Sequence, residues 1–217
     1  MEDGPVRLDI TPCVLRFAAV IPVVDAMLYL ASQSPRRRQL LEQVGIQFDL
    51  IDVEVPEVRV PGEPPAEYVS RVAREKAGAG WLKLAGAGAA VVLGADTEVV
   101  LDDEVFGKPV DAAHATGMLR RLSGRAHQAI SAVWCISAGR EERVLSVSQV
   151  VFAPLSDRDI ADYVASGEPI GRAGAYAIQG RAAAFISRLS GSYSGVMGLP
   201  LFETVELLSR FGIRPGE

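Results

Sequence analysis

Two hydrophobic periods share this chain. Short apolar runs alternate with segments whose apolar positions recur at helical spacing, and the two patterns separate strands from helices. "MLYLA" (Met27 to Ala31) reads as a buried strand. The segment after it reads as a helix: Ser34 is placed to be the N-cap, its hydroxyl accepting from a free backbone N–H, and Pro35 suits the first helical position. Leu40, Leu41 and Val44 make its apolar face, and Gly45 can end it. "FDLIDVEV" (Phe48 to Val55) reads as a strand and "PEVRVPGEPP" as a proline-rich loop. In "PAEYVSRVAREKAGAGWLKLAG", Val69, Val72, Ala73, Ala77 and Trp81 predict a long amphipathic helix, weakened in its second half by glycines. "AAVVLGADTEVVLDDEVFGKP" predicts an apolar strand, a polar interruption, a second strand and an acidic turn.

Downstream, "DAAHATGMLRRLSG" predicts a helix capped by Asp111 and stopped by Gly124. "HQAISAVWCISA" and "ERVLSVSQVVFA" predict an antiparallel hairpin turning near Gly139. "SDRDIADYVAS" is a short helix capped by Ser156, "EPIGRAGAYAIQG" a glycine-rich loop, "RAAAFISRLSG" a strand and "PLFETVELLSRFG" a closing helix. Helices alternate with strands, yet one hairpin is antiparallel. The expected class is α/β, with a mixed sheet flanked by helices.

Composition narrows the function classes. A chain of 217 residues makes one domain or two small lobes, and 49% hydrophobic with 23% charged residues fits a globular core. The net charge of -5 gives no basic stripe for nucleic acid, and no run has the length of a membrane span. Cys13 and Cys135 form no C-x-x-C pair, which argues for a reducing cytoplasm rather than a disulfide framework. His114 and His127 are not spaced as metal ligands and read as structural, which leaves a carboxylate-built magnesium site open. Residues 1–26 are acidic at the start and interrupted by Arg16 and Asp25, unlike a secretory signal. They are expected to be a disordered extension outside the fold, from a start codon placed too early, with the domain running over residues 27–217 from Met27.

Polar groups stand at four places that packing alone does not explain. Arg36, Arg37 and Arg38 follow Ser34 and Pro35 at a helix N-terminus, whose free N–H groups attract anions and whose dipole arginines oppose. The corner is either a phosphate site or a set of solvated arginines. Lys76 lies on the long helix, where a solvated face is the ordinary reading. Asp96 and Thr97 break the run "VVLGADTEVV", and a carboxylate among buried apolar residues is costly unless paired or metal-bound. A strand end opening on a cleft would explain it; so would a tight bend. Lys108 sits in the rigid loop "GKP". Arg36, Arg37, Lys76 and Lys108 could surround a polyphosphate, while Asp96 and Glu57 could hold a divalent cation, and phosphoryl chemistry needs both. Spacing does not show that they converge.

Six stretches in order, "LASQSPRRRQLL", "AREKA", "GADTEVVLDDEVFGKP", "MLRRLSGRAHQAISAV", "GAYAIQG" and "GSYSGVMGLPLFET", resemble the Maf family of nucleoside triphosphate pyrophosphatases from about Leu28 to Phe211. The resemblance implies a curved mixed sheet with two lobes and a nucleotide cleft between them. It implies hydrolysis between the α- and β-phosphates to a nucleoside monophosphate and pyrophosphate, with a divalent metal, magnesium or manganese, in the cytoplasm, in a homodimer. It implies Asp96 as catalytic base and Glu57 as a residue lining the cleft, with Glu54 as its rival; Asp96 and Glu57 are the expected metal ligands. Arg36, Thr97 and Gln179 match positions linked to substrate choice, and Ser34, Arg37, Lys76 and Lys108 match positions facing the phosphates. "AYAIQGRAAAFISRLSGSYSGVMGLP" resembles the branch acting on dTTP and UTP; a sister branch acting on methylated guanine nucleotides typically carries glutamate before that glycine. The Gln179 amide has one acceptor and one donor, matching the N3–H and O4 of uracil or thymine. Two rivals are a pyrophosphatase for deaminated purines, which Gln179 disfavours, and a non-catalytic regulator of cell division, which would not need Asp96, Lys76 and Lys108 together.

Overall fold

One long strand organises the molecule. Residues 26–84 and 88–216 are described in a computed structural model of the chain, so the expected extension lies, Ala26 apart, outside them. Strand β3 (Ala90–Leu101) pairs antiparallel along one edge with β5 (Ala126–Ser137), from Val92 to Val100. Along its other edge it has two partners. Strand β1 (Met27–Ala31) runs parallel to residues Ala90 to Gly94, and β4 (Glu104–Phe106) pairs antiparallel with Val99 to Leu101. Ala95 to Glu98 therefore have no ladder partner on that edge. The sheet order is β2-β1-β3-β5-β6-β7, with β2 (Asp49–Leu50), β6 (Arg140–Phe152) and β7 (Ile186–Ser190). The sheet is mixed, as expected: β1 is parallel to both neighbours and every other pairing is antiparallel.

Two apolar cores lie on one face of β3, at either end of it. Val91, Leu93 and Ala95 join Leu28, Leu30, the helix α1 (Pro35–Gln43) and the closing helix α6 (Leu201–Ser209). Val99 and Leu101 join α3 (Ala112–Leu122), α4 (Asp157–Ala165), Phe152 and Tyr176. The break between them falls at Thr97, and this gives the expected two lobes. The opposite face is covered by α2 (Pro65–Lys83), whose Val69, Val72 and Ala73 pack on Val100, Ile130 and Ala132.

Four expectations need correction. The stretch at Gly94 to Thr97 does not interrupt a strand: β3 passes straight through, because β5 hydrogen-bonds it on the other side. The strand expected over Phe48 to Val55 shrinks to β2; Ile51 and Val53 still turn inward against Ala31 and Val92, but the ladder with β1 covers only Tyr29 and Leu30. The strand expected from Arg181 begins only at Ile186, after a 3-10 turn over Arg181–Phe185 whose Ala182 fills the second core. Ser34 has N-cap backbone geometry, yet its side chain caps nothing; Ser32 Oγ accepts from the Ser34 amide instead. A short helix, α5 (Tyr193–Met197), was not expected; Ser192 caps it by accepting from the Gly195 amide.

Other details hold. Asp102 and Asp103 form the acidic turn, both with positive φ (51° and 63°), as a two-residue hairpin loop requires. The helix α2 runs unbroken through its glycines. Gly80 is there for close packing: a β-carbon would lie 2.9 Å from Val92 Cγ1. His127 is structural, buried edge-on against Phe152 and Tyr176, with Nε2 2.9 Å from the Tyr176 hydroxyl. His114 Nδ1 accepts from the Val110 amide at the start of α3. Cys135 is buried, and burial pushes its thiol up; Cys13 lies outside the described residues. Among the described residues no helix is long and apolar enough to cross a membrane.

Candidate active site

The gap in the β3 edge is the mouth of a cleft of about 330 Å³. It lies outside the carboxyl end of β1, where ligands sit in open α/β sheets. The first side is the β1–α1 turn, with Ser34, Arg36 and Arg37. The second is α2, with Lys76. The floor is Asp96, Thr97 and Glu98, accessible because no strand covers that edge. Glu57 and Lys108 line it too, as do Arg172, Tyr176 and Gln179 from the glycine-rich loop. All nine residues expected at the site thus line one cavity. Glu57 is part of that lining, whereas Glu54 is exposed and absent from it.

Gly94 explains how Lys76 reaches the floor. A β-carbon there would collide with the Ala73 carbonyl oxygen and the Ala77 amide, and would lie 2.8 Å from Ala77 Cβ. The bare glycine lets α2 rest on the strand backbone. Lys76, only 9% exposed, then places Nζ 2.8 Å from Asp96 Oδ1 and 2.6 Å from Glu57 Oε1. Lys108 Nζ donates to Glu57 Oε2 at 2.9 Å. Lys76 is therefore a buried cation between two carboxylates, not part of a solvated helix face. Burial works to raise the Glu57 carboxyl, but hydrogen bonds from both lysines outweigh it and hold the group at about 2.

The floor carries unsatisfied charge. Asp96 is 4% exposed; Lys76 fixes Oδ1, and Oδ2 has no partner. Glu98, 7% exposed, makes no hydrogen bond or ion pair with any described side chain, and its Oε2 is orphaned. Burial, then the charges of Asp96 and Glu57, push the Glu98 carboxyl up to about 8. Arg37 is buried too. Its Nε donates to the Gly198 carbonyl at 2.8 Å and its Nη1 to Ser32 Oγ at 3.3 Å, tying α1 to the loop after α5. Burial lowers the Arg37 guanidinium, against the opposing pull of Asp96, Glu57 and Glu98.

Thr97 points to the other face of β3. Its hydroxyl lies 2.7 Å from Ser131 Oγ and donates to the Gly198 carbonyl at 3.3 Å. The Gln179 side chain is exposed at the cleft rim and makes no hydrogen bond with any described residue, which leaves its amide available to a ligand. Sequence reasoning missed Glu98 and Arg172. Glu98 was findable: two positions after Asp96 on a strand is the same face. Arg172, a basic residue inside "IGRAG", has an orphaned Nε in the cleft wall. No group of three or more His, Cys, Asp or Glu gathers into a metal cage among the described residues. Magnesium, though, is usually bound by one or two carboxylates plus substrate phosphates. The two orphaned, hard carboxylate oxygens at the floor fit such an ion.

The chain is similar to known enzymes over most of its length. A nucleoside triphosphate pyrophosphatase of Xylella fastidiosa is 60% identical over 186 residues, covering 85% of this chain and 98% of that one. A dTTP/UTP pyrophosphatase of Xanthomonas campestris is 57% identical over 188 residues, covering 86% and 99%. A solved dITP/XTP pyrophosphatase of Mycobacterium abscessus is only a distant likeness, with a TM-score of 0.40 and 19% identity over 59% of this chain and 75% of that one. The Maf-like protein family matches residues 27–211, from the first residue of β1 to just past α6, and the chain belongs to that family.

Proposed function

We propose that this protein is a nucleoside triphosphate pyrophosphatase that hydrolyses dTTP and UTP, standard or modified, to the monophosphate and pyrophosphate, as a house-cleaning enzyme of the cytoplasmic nucleotide pool. One observation carries the reading. Asp96 is a buried carboxylate, held by Lys76 through one oxygen, with the other oxygen unpartnered in a cleft walled by Arg36, Arg37, Lys76 and Lys108. Such cations neutralise phosphate oxygens, and a fixed carboxylate can orient water. The relatives' names agree with that chemistry.

The residues divide the work. The triphosphate enters between the α1 N-terminus and the two lysines. Arg36 and Arg37 bind its oxygens, and Lys76 and Lys108 exchange part of their contact with Glu57 for phosphate. Asp96 orients a water against the α-phosphorus, the water's proton passes to the Asp96 carboxylate, and pyrophosphate leaves. A divalent cation at the carboxylates, when bound, supplies the charge that offsets the phosphates. At the rim, the Gln179 amide accepts from N3–H and donates to O4 of thymine or uracil. The Thr97 hydroxyl bonds to Ser131 and to the Gly198 carbonyl, fixing the loop after α5 at the cleft. A homodimer, implied by the family resemblance, is checked by sedimentation.

The test is pyrophosphate release from dTTP, UTP, CTP and GTP with magnesium or manganese, by the wild type and Asp96→Asn. The reading requires a preference for dTTP and UTP, and a loss of about 10²–10⁴-fold in the variant, the usual contribution of general base catalysis. Nucleotide binding with no release from any of the four would instead fit a non-catalytic regulator.

A further inference from the structure

Asp96 and Glu98 are two positions apart on β3, so both side chains leave the strand on the face that α2 covers. Each is more than nine-tenths buried, lines the cleft, and keeps a carboxylate oxygen with no hydrogen bond. A buried acceptor without a donor is costly, and two side by side are more so. Among the described residues no cation bonds to either free oxygen. Lys76 reaches only Asp96 Oδ1, and Lys108 and Arg37 bond to other groups. Glu57 is in the opposite condition: Oε1 is taken by Lys76 and Oε2 by Lys108.

Building on the pyrophosphatase reading, we propose that the divalent cation is held by Asp96 and Glu98 together, and that Glu57 is the anchor of the two lysines rather than a metal ligand. Glu98 thereby becomes a metal ligand on this chain's own β3. Two hard oxygen donors, with no histidine or thiolate in the cleft lining, select magnesium or manganese over zinc. They leave the remaining octahedral positions to phosphate oxygens and water. The free edge of β3 matters here, because a strand paired over Ala95 to Glu98 would close off the approach.

The experiment is a Mn²⁺ titration by calorimetry and electron paramagnetic resonance. It uses the full chain with α,β-methylene-UTP, which cannot be cleaved at the bond in question. Glu98→Gln, isosteric but neutral, should weaken Mn²⁺ binding about tenfold or more, and Glu57→Gln less than about threefold, in line with the effect of ligand charge on such sites. Glu57→Gln should instead raise the KM for UTP. Without metal, Glu98→Gln should melt no lower than the wild type, because the carboxyl it replaces makes no hydrogen bond that could be lost; a purely structural glutamate would make it melt lower. Unchanged Mn²⁺ affinity in Glu98→Gln, or an equal loss in Glu57→Gln, overturns the proposal. If Glu98→Gln does not fold, Glu98→Asp decides: the shortened ligand must weaken Mn²⁺, and equal affinity overturns the assignment. Pyrophosphate release is measured in parallel. Glu98-dependent Mn²⁺ binding without release leaves the metal site standing and removes the reaction; release with Glu98-independent binding does the reverse.

Discussion

Replacing Lys76 by methionine removes the charge but keeps the length of the side chain. In the wild type, Nζ holds Asp96 at 2.8 Å and Glu57 at 2.6 Å. The two carboxylates do not suffer equally. Glu57 is partly solvated and keeps Lys108, whereas Asp96 is buried and would have no partner on either oxygen. Removing one member of a buried pair typically costs about 3–5 kcal/mol, because the other charge stays behind. For a domain of this size that is a fall in Tm of roughly 6–20 °C. The assay is thermal unfolding by circular dichroism at neutral pH, supported by urea titration. The double variant Lys76→Met/Asp96→Asn adds a sharper condition. It should be more stable than Lys76→Met alone, since the asparagine deletes the orphaned charge. A Tm for Lys76→Met within about 2 °C of wild type, less than 1 kcal/mol, would refute the reasoning and return Lys76 to a solvated helix face.

Gly94→Ala should lower both stability and kcat, because its β-carbon meets the Ala73 backbone oxygen and α2 must lift, taking Lys76 with it; unchanged melting and turnover would contradict the packing. Gln179→Glu should lower kcat/KM for dTTP and UTP by about 5- to 150-fold, the equivalent of a mispaired contact of roughly 1–3 kcal/mol, and should affect GTP less. An equal fall for dTTP, UTP, CTP and GTP would make Gln179 a structural part of its loop. Burial holds the His127 imidazole down at about 4, so the native state keeps it neutral while the unfolded chain protonates near 6.5. Its contribution is present above pH 6.5 and lost as pH falls to 4, a term on the order of 3 kcal/mol. Urea midpoints across that window should lose one proton's worth of slope in His127→Gln, and an unaltered slope would assign acid sensitivity elsewhere.

Eight of the nine site residues were legible because each lies in a short motif whose order along the chain carries the resemblance; Glu57 lies outside those motifs. Their convergence was not legible. It depends on β1 and β4 meeting the same edge of β3 and leaving Ala95 to Glu98 between them, a non-local arrangement no local pattern encodes. This is also why "GADT" read as a break: its polarity marks an uncovered edge, while β5 keeps the strand continuous. Glu57 and Glu54 could not be separated by motif alone. The structure sends Val53 inward and Glu54 outward, and Glu57 meets both lysines. The Phe48 to Val55 segment kept its alternation and lost its ladder, because inward packing of Ile51 and Val53 does not need backbone pairing. Ser34 takes N-cap backbone geometry, but its side chain accepts from no helix amide, and its own amide donates to Ser32 Oγ.

The central claim is that water, oriented by Asp96, attacks the α-phosphorus. Hydrolysis of UTP in ¹⁸O-labelled water, followed by mass spectrometry of the products, tests it directly. The account predicts one ¹⁸O atom in UMP and none in pyrophosphate, with that product lost in Asp96→Asn. Label in the pyrophosphate would place the attack on the β-phosphorus, and orthophosphate with UDP would place it on the γ-phosphorus; either result would contradict the account.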